Sequence, residues 1–137
     1  MGFFHSLLLI GAKPKNALEE TLMAFLKGRC DLPEWIAALK KSRVTVLVKD
    51  PPQAGAETGQ QMRPLVLDGA DGRPALCVFT HPCRALPLQK RVPAYGYALE
   101  TEFSAVLGFT PAGFGMQFNP GSFFSTEVLP EGVDELR

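Results

Sequence analysis

Val44-Thr45-Val46-Leu47-Val48 is the stretch that decides how this chain folds. It is rich in β-branched residues and only Thr45 interrupts its apolarity, so it reads as a central strand covered on both faces. Such a strand needs covering layers, and the residues before it supply helices. From about Lys15 to Gly28, the positions Leu18, Leu22, Phe25 and Leu26 recur at helical spacing and form one apolar stripe. Asn16 followed by Glu19 is a capping-box variant that gives orphan amides a partner, and Gly28 is placed to stop the helix. A second helix is expected from about Leu32 to Lys41. Asp31 caps it, Pro33 sits in its first turn, and Leu32, Trp35, Ile36 and Leu39 face one way. Lys40 and Lys41 then fall near the negative end of the helix dipole. The two helices read as a hairpin whose joint face covers a sheet.

Beyond Val48 the composition shifts. Residues 49–63 carry Pro51, Pro52, Gly55, Gly59 and paired glutamines, and read as a mobile surface loop. Strand signals return at Pro64–Asp68 and Ala75–Thr80, and Gly69, Ala70, Asp71 and Gly72 between them make a hairpin. A short helix is expected from about Pro82 to Gln89, then a strand at Tyr95–Leu99, a short helix over Thr101–Leu107 capped by Thr101, and a strand at Phe114–Phe118. Asn119, Pro120, Gly121 and Ser122 form a turn into a strand at Phe123–Val128, and Pro130 opens a last helical turn. The expected fold class is α+β: an N-terminal helical hairpin packed on a mixed β-sheet of about five or six strands, with short helices between the later strands.

The chain has 137 residues, 14 Lys+Arg against 14 Asp+Glu, 46% hydrophobic and 20% charged. That length fits a single domain over 1–137 whose core needs neither metals nor disulfides. The apolar content is wrong for a disordered chain. The neutral balance argues against bulk capture of nucleic acid, which leaves a basic footprint. Cys30, Cys77 and Cys83 are an odd number of cysteines in a chain large enough to stand without staples, which points to the reducing cytoplasm. Residues 1–14 form an apolar arm through Phe3, Phe4 and Leu7–Ile10. Lys13 and Lys15 follow that run rather than precede it, unlike a secretory signal, and the run is shorter than the about 20 residues that cross a bilayer. The arm is expected to pack on the core or on a neighbouring subunit, with no membrane partner.

Reactive side chains are densest at Cys77, His81 and Cys83, three zinc-competent residues to which Cys30 can add a fourth. Cys77 lies inside an expected strand while His81 and Cys83 sit at its exit, and the paired-knuckle spacing of zinc sites is missing, so no metal and no cofactor are assigned. The bland reading makes Cys77 a small core hydrophobe and His81 a loop residue before Pro82. Cys83 falls at an expected helix N-terminus beside Arg84, a setting in which thiols are reactive, and it is the candidate reactive thiol. Nucleophilic catalysis also needs a base within reach, and the chain offers His5 in the arm and His81. No catalytic residue is assigned. Walker A, His-Glu-x-x-His and Gly-x-Ser-x-Gly patterns are missing. Gly113 and Gly115 start a Gly-x-Gly, but Phe118 stands where the third glycine belongs. Asp68, Gly69, Asp71 and Gly72 recur in the manner of a calcium loop without its closing Glu, and read as a tight turn. Glu100 and Glu102 read as solvated strand-end acids. Most of the ten Phe, two Tyr and one Trp must be core. Phe123 and Phe124 are neighbours on one expected strand and point to opposite faces, so one is an exposed protein-contact anchor unless that strand is covered on both sides.

Four features then occur in order: Asn16-Ala17-Leu18-Glu19 opening a helix, Trp35 and Leu39 before the strand over Ser42–Val48, Leu76-Cys77-Val78-Phe79-Thr80, and Phe118-Asn119-Pro120-Gly121-Ser122 near the end. In these the chain resembles the N-terminal domain of the SseB family, over Asn16 to Leu136. The family is named for a serine-sensitivity phenotype and is distinct from the similarly named secretion-system translocon protein. The resemblance implies a bacterial, cytoplasmic protein with no established enzymatic activity. Longer members carry a second, C-terminal domain, and this chain is expected to be a stand-alone copy of the first. The Asn-Pro-Gly-Ser segment has a plain physical reading: Pro120 fixes its own backbone, Gly121 takes positive φ and Asn119 bonds the turn amides, which holds a hairpin without any ligand.

The leading expectation is a non-catalytic cytoplasmic interaction or regulatory module that binds another protein, or itself as a homo-oligomer through the arm. The alternative is a small-metabolite-binding domain or cryptic enzyme with a cleft lined by Cys83, Arg84 and Asn119. The binding candidates are Phe79, Arg84, Asn119, Pro120 and Gly121. An interface predicts a contiguous apolar patch, and a ligand site predicts a concave pocket with a few convergent polar groups. Nucleic-acid binding ranks third, needs Lys40, Lys41, Arg43, Arg84 and Arg91 on one face, and is not assigned.

Overall fold

Asn16 and Asp31 start the two helices in the way their side chains suggest. Asn16 Oδ1 accepts from the Glu19 amide at 2.8 Å at the head of α1 (Ala17–Leu26), and Asp31 accepts from the Glu34 amide at 3.0 Å at the head of α2 (Leu32–Lys40). Each bond satisfies an amide that the helix itself leaves without a partner. Gly28, at φ 75°, follows α1 in the left-handed region where a side chain would be strained. The computed structural model describes residues 13–50, 63–122 and 125–137, together with the backbone of 3–5. The rest of the expected arm within 1–12, residues 51–62 of the expected loop, and Phe123 and Phe124 lie outside the described residues.

The strands and later helices are β1 (Phe3–His5), β2 (Arg43–Val48), β3 (Val66–Asp68), β4 (Pro74–Val78), α3 (Pro82–Arg91), β5 (Tyr97–Glu102), α4 (Phe103–Phe109), β6 (Gly115–Phe118), β7 (Thr126–Val128) and α5 (Pro130–Leu136). One sheet has the order β1-β7-β6-β4-β3, and a second pairs β2 with β5. Neighbours are antiparallel except β4 and β6, which run parallel with Val78 opposite Phe118. The fold is thus α+β, with an N-terminal helix pair, a mixed sheet and short helices between the later strands.

Backbone bonds stitch the two sheets together along β2. Thr45 and Phe79 exchange both amide bonds at 2.8 Å, the Leu65 amide donates to the Leu47 carbonyl at 2.8 Å, and the Lys49 amide donates to the Arg63 carbonyl at 3.2 Å. On the opposite edge the Phe103 amide donates to the Ser42 carbonyl at 3.0 Å, and the register continues without a bulge from Arg43 opposite Glu102 to Val48 opposite Tyr97. Antiparallel ladders alternate, so the odd-numbered residues of β2 bond toward Phe79 and Leu65, and the even-numbered ones bond toward β5. β2 is therefore hydrogen-bonded on both edges, as its sequence suggested.

It is also covered on both faces. Val44, Val46 and Val48 enter the larger core cluster with Leu22, Trp35, Leu39 and Phe118, and Leu47 enters a second cluster with Leu65, Cys77, Phe79 and Ala85. Trp35 meets Phe118 edge-on, with ring centroids 5.7 Å apart. The helix pair thus lies over one face of β2, and α3, which carries Ala85, over the other.

Some boundaries move for reasons of pairing. The strand expected at Tyr95–Leu99 runs instead from Tyr97 through Glu102, and the helix expected from Thr101 begins at Phe103 with Glu102 at its N-cap and no side-chain cap bond. Thr101 lies opposite Val44 and Glu102 opposite Arg43. The ladder holds both extended, and this tertiary pairing overrides the local capping preference of Thr101. α3 continues past Pro87 to Arg91, and β7 comprises Thr126–Val128.

Candidate functional site

The parallel pair β4 and β6 ends at one place, and the polar residues gather there. In open sheets with parallel strands, the carboxyl ends are where ligand crevices form. Just past β4 stands Thr80, and just past β6 stands Asn119. The Asn119 amide donates to the Val78 carbonyl at 2.8 Å, which prolongs the parallel ladder by one step. Asn119 Oδ1 accepts from the Thr80 amide at 2.9 Å and its Nδ2 donates to Thr80 Oγ1 at 2.9 Å. Thr80 Oγ1 in turn donates to Glu19 Oε2 at 2.6 Å, and Asn16 Nδ2 donates to the Thr80 carbonyl at 2.8 Å.

Arg84, in the first turn of α3, closes the network. Its Nε donates to Glu19 Oε2 at 3.0 Å and its Nη2 to Glu19 Oε1 at 2.9 Å, a two-point pairing of guanidinium and carboxylate. Nη2 also donates to the Lys13 carbonyl at 2.6 Å. Glu19 Oε1 accepts from the Lys15 amide at 2.8 Å, which completes the capping of α1. The Glu19 side chain is 0% exposed and the Arg84 side chain 17%. Burial pushes the Glu19 carboxyl upward, but hydrogen bonds from Arg84, Thr80 and the Lys15 amide, with the charge of Arg84, outweigh it and hold the carboxyl below the usual glutamate range. The carboxylate is ionised, paired and sealed in.

The turn after β6 has the geometry its residues call for. Asn119 sits at φ 52° and Gly121 at φ 82°, and the Ser122 amide donates to the Asn119 carbonyl at 3.0 Å. Pro120 followed by a positive-φ glycine is a type II turn. Asn tolerates the left-handed region better than other side chains do, so position 119 combines an uncommon backbone with two bonds to Thr80.

The sequence-derived candidates therefore meet different fates. Arg84 and Asn119 are brought into one network, joined through Thr80 and Glu19. Pro120 and Gly121 shape the adjoining turn. Phe79 is fully buried in the second core cluster, so its side chain faces the protein interior. Cys83 and His81 lie at the head of α3, where His81 Nδ1 accepts from the Cys83 amide at 3.1 Å and acts as the helix cap. Cys77 is fully buried, and burial pushes its thiol up to about 12. Among the described residues no three His, Cys, Asp or Glu side chains gather as a metal set. Lys40 ends α2, Lys41 caps it and Arg43 opens β2, while Arg84 and Arg91 lie on α3.

Glu19 and Thr80 are the members of the network that the sequence does not announce. Glu19 reads as a local capping residue and Thr80 as a strand end. The available signal was Glu19's place beside the apolar stripe of α1, one residue from Leu18, where a carboxylate must be partnered if the face is covered.

Mixed pairing around one parallel step, an N-terminal helix pair and a polar network at the strand ends define this chain as a small α+β domain with helices on both faces of β2. It belongs to the SseB family: the model of the SseB protein N-terminal domain matches residues 18–135. No curated protein and no solved structure matches the chain. Among the described residues, no helix is long and apolar enough to cross a membrane.

Proposed function

We propose that this domain is a non-catalytic protein-interaction or regulatory module of the bacterial cytoplasm. The observation that carries the reading is the position of the exposed apolar side chains. Among the described residues the large ones left in water are Leu86 on α3, 54% exposed, and Tyr97 on β5, 44% exposed. The two elements touch one another. Exposed large hydrophobes are an interaction signal and tyrosine is favoured at binding hot spots, although strand alternation places Tyr97 on the face opposite α3, so the two are separate anchors rather than one patch. Self-association through the arm is another form of this reading, although the described part of the arm, β1, pairs with β7 of its own chain.

The test is affinity capture from bacterial lysate with the tagged chain and with a Leu86→Ser/Tyr97→Ser double variant that keeps its melting temperature. A partner bound by the first and lost from the second supports the module. The second reading, a metabolite-binding domain, is favoured by the left-handed Asn119 beside Arg84 at the ends of the parallel strands, where backbone strain can mark a site. Thermal unfolding against amino acids including serine, nucleotides and metals tests it. A ligand at a hundred times its Kd stabilises by about 2.7 kcal/mol. Such a shift, with no partner captured, overturns the module reading.

A further inference from the structure

β5 is hydrogen-bonded on one edge. Its odd-numbered residues Tyr97, Leu99 and Thr101 bond to β2, so the backbone N–H groups of Ala98 and Glu100 and the carbonyl of Ala98 point away from the sheet. Among the described residues no strand pairs with that side. Six residues without a proline or a bulge make a longer and straighter edge than proteins usually leave open. What guards it is charge. Arg43 lays its guanidinium across the strand, where Nη2 donates to the Glu100 carbonyl at 3.1 Å and Nε approaches Glu100 Oε1 at 3.4 Å. Glu102 lies two residues on, so on the same face, and makes no ion pair among the described residues, which leaves two carboxylates against one guanidinium.

Resting on the module reading, we infer that the outer edge of β5 accepts an extended segment of a partner protein by strand addition, and that this segment alternates apolar and basic residues. The added strand completes the backbone bonds of Ala98 and Glu100, which supplies the binding energy. Its side chains on one face continue the row of Tyr97, Leu99 and Thr101. On the other they meet Ala98, Glu100 and Glu102, which are all exposed. There lysine or arginine satisfies the unmatched carboxylate. Antiparallel pairing with a second copy centred on Glu100 sets like charges directly opposite, which is destabilising, whereas the register centred on Leu99 sets Ala98 against Glu100, so a dimer through this edge is an outcome that the test reads separately.

The test measures binding of two synthetic decapeptides, alternating Val-Lys and alternating Val-Glu, to the full 137-residue chain and its variants. The Val-Lys peptide binds and the Val-Glu peptide does not. Ala98→Pro removes an outward N–H that the β2 ladder does not use, a position where an edge proline is tolerated, and it abolishes binding without changing the ladder amides of Leu99 and Thr101. Should that variant fold poorly, Glu100→Lys/Glu102→Lys weakens the Val-Lys peptide about tenfold and admits the Val-Glu peptide. Arg43→Ala, which frees the Glu100 carbonyl, tightens the Val-Lys peptide about threefold. Equal binding of both peptides, binding unchanged by these variants, or sedimentation showing a dimer that Ala98→Pro dissolves would each overturn the inference. If Ala98→Pro captures the same lysate partner as the unaltered chain, the edge is refuted and the module reading stands. If nothing is captured and a metabolite shifts the melting temperature, the module reading itself fails.

Discussion

At the ends of β4 and β6, the side chains of Glu19, Thr80, Arg84 and Asn119 bond one another and Asn16 donates to the Thr80 carbonyl, with Glu19 and Asn119 fully buried. Along the outer edge of β5, the N–H groups of Ala98 and Glu100 point away from β2 with no hydrogen-bond partner among the described residues, and Arg43 lies across the strand. The first region holds the residues that chemistry would pick as a site, and the second holds an alanine between a tyrosine and a leucine. Yet in the first every strong donor and acceptor named above already has its partner inside the molecule. The contrast teaches that a dense polar cluster whose members satisfy each other acts as architecture, while recognition needs hydrogen-bonding capacity left over.

The largest effect is expected at Glu19. Glu19→Ala strips Arg84 of its carboxylate and leaves Thr80 and the Lys15 amide without their acceptor, which should cost about 3 kcal/mol in urea unfolding, as when one partner of a sheltered ion pair is removed. A loss under about 1 kcal/mol would show that the network is not what ties α1 to the strand ends.

Asn119 comes next. Asn119→Ala forfeits the bonds to Thr80 and places an ill-suited residue in the left-handed region, for an expected loss of about 2 kcal/mol. Asn119→Gly keeps the backbone and loses the bonds alone, so it should be milder by about 1 kcal/mol. Equal losses would mean that the backbone of position 119 carries no strain.

Thr45 sharpens the comparison from the opposite side. Its Oγ1 is buried on β2 with no hydrogen-bond partner among the described residues. Thr45→Val removes that orphan at nearly constant shape and should stabilise by about 1 kcal/mol, read as a rise in melting temperature of a few degrees. A destabilised variant would point to a partner for the hydroxyl in solution.

The smallest effect at neutral pH is the titration of Glu19, which grows only in acid. Its folded pKa lies below the ordinary value of 4.5, so between the two the unfolded chain binds more protons and stability rises with pH. The contribution is complete above about pH 4.5 and is lost as pH falls through the lowered folded value. Asp50, Asp71 and Glu131 are also held low, by hydrogen bonds from Arg63 and Arg73, but they are exposed and screened. Unfolding free energy of the unaltered chain should therefore fall more steeply below pH 4.5 than that of Glu19→Gln. Parallel curves would assign the acid loss to the surface.

What was legible in the sequence was local. The caps at Asn16 and Asp31, the stop at Gly28, the Asn-Pro-Gly-Ser turn and the run Val44–Val48 each depend on neighbours within a few residues, and each is in place. Pairing across the chain was not legible. Thr101 looks like a helix cap until Val44 claims it for a strand, and Glu19 looks like half of a capping box until Arg84, 65 positions away, arrives beside it. The open side of β5 was illegible for the same reason: which backbone amides are left over is settled only when the register with β2 is known.

Native-state amide exchange is the most direct test, because it reads both regions in one experiment. The account predicts slow exchange at Thr80, Asn119, Leu99 and Thr101, and fast exchange at Ala98 and Glu100, an alternation of period two along β5. Protection of Ala98 and Glu100 equal to that of Leu99 and Thr101, or exchange at Thr80 and Asn119 as fast as at Ala98, would contradict it.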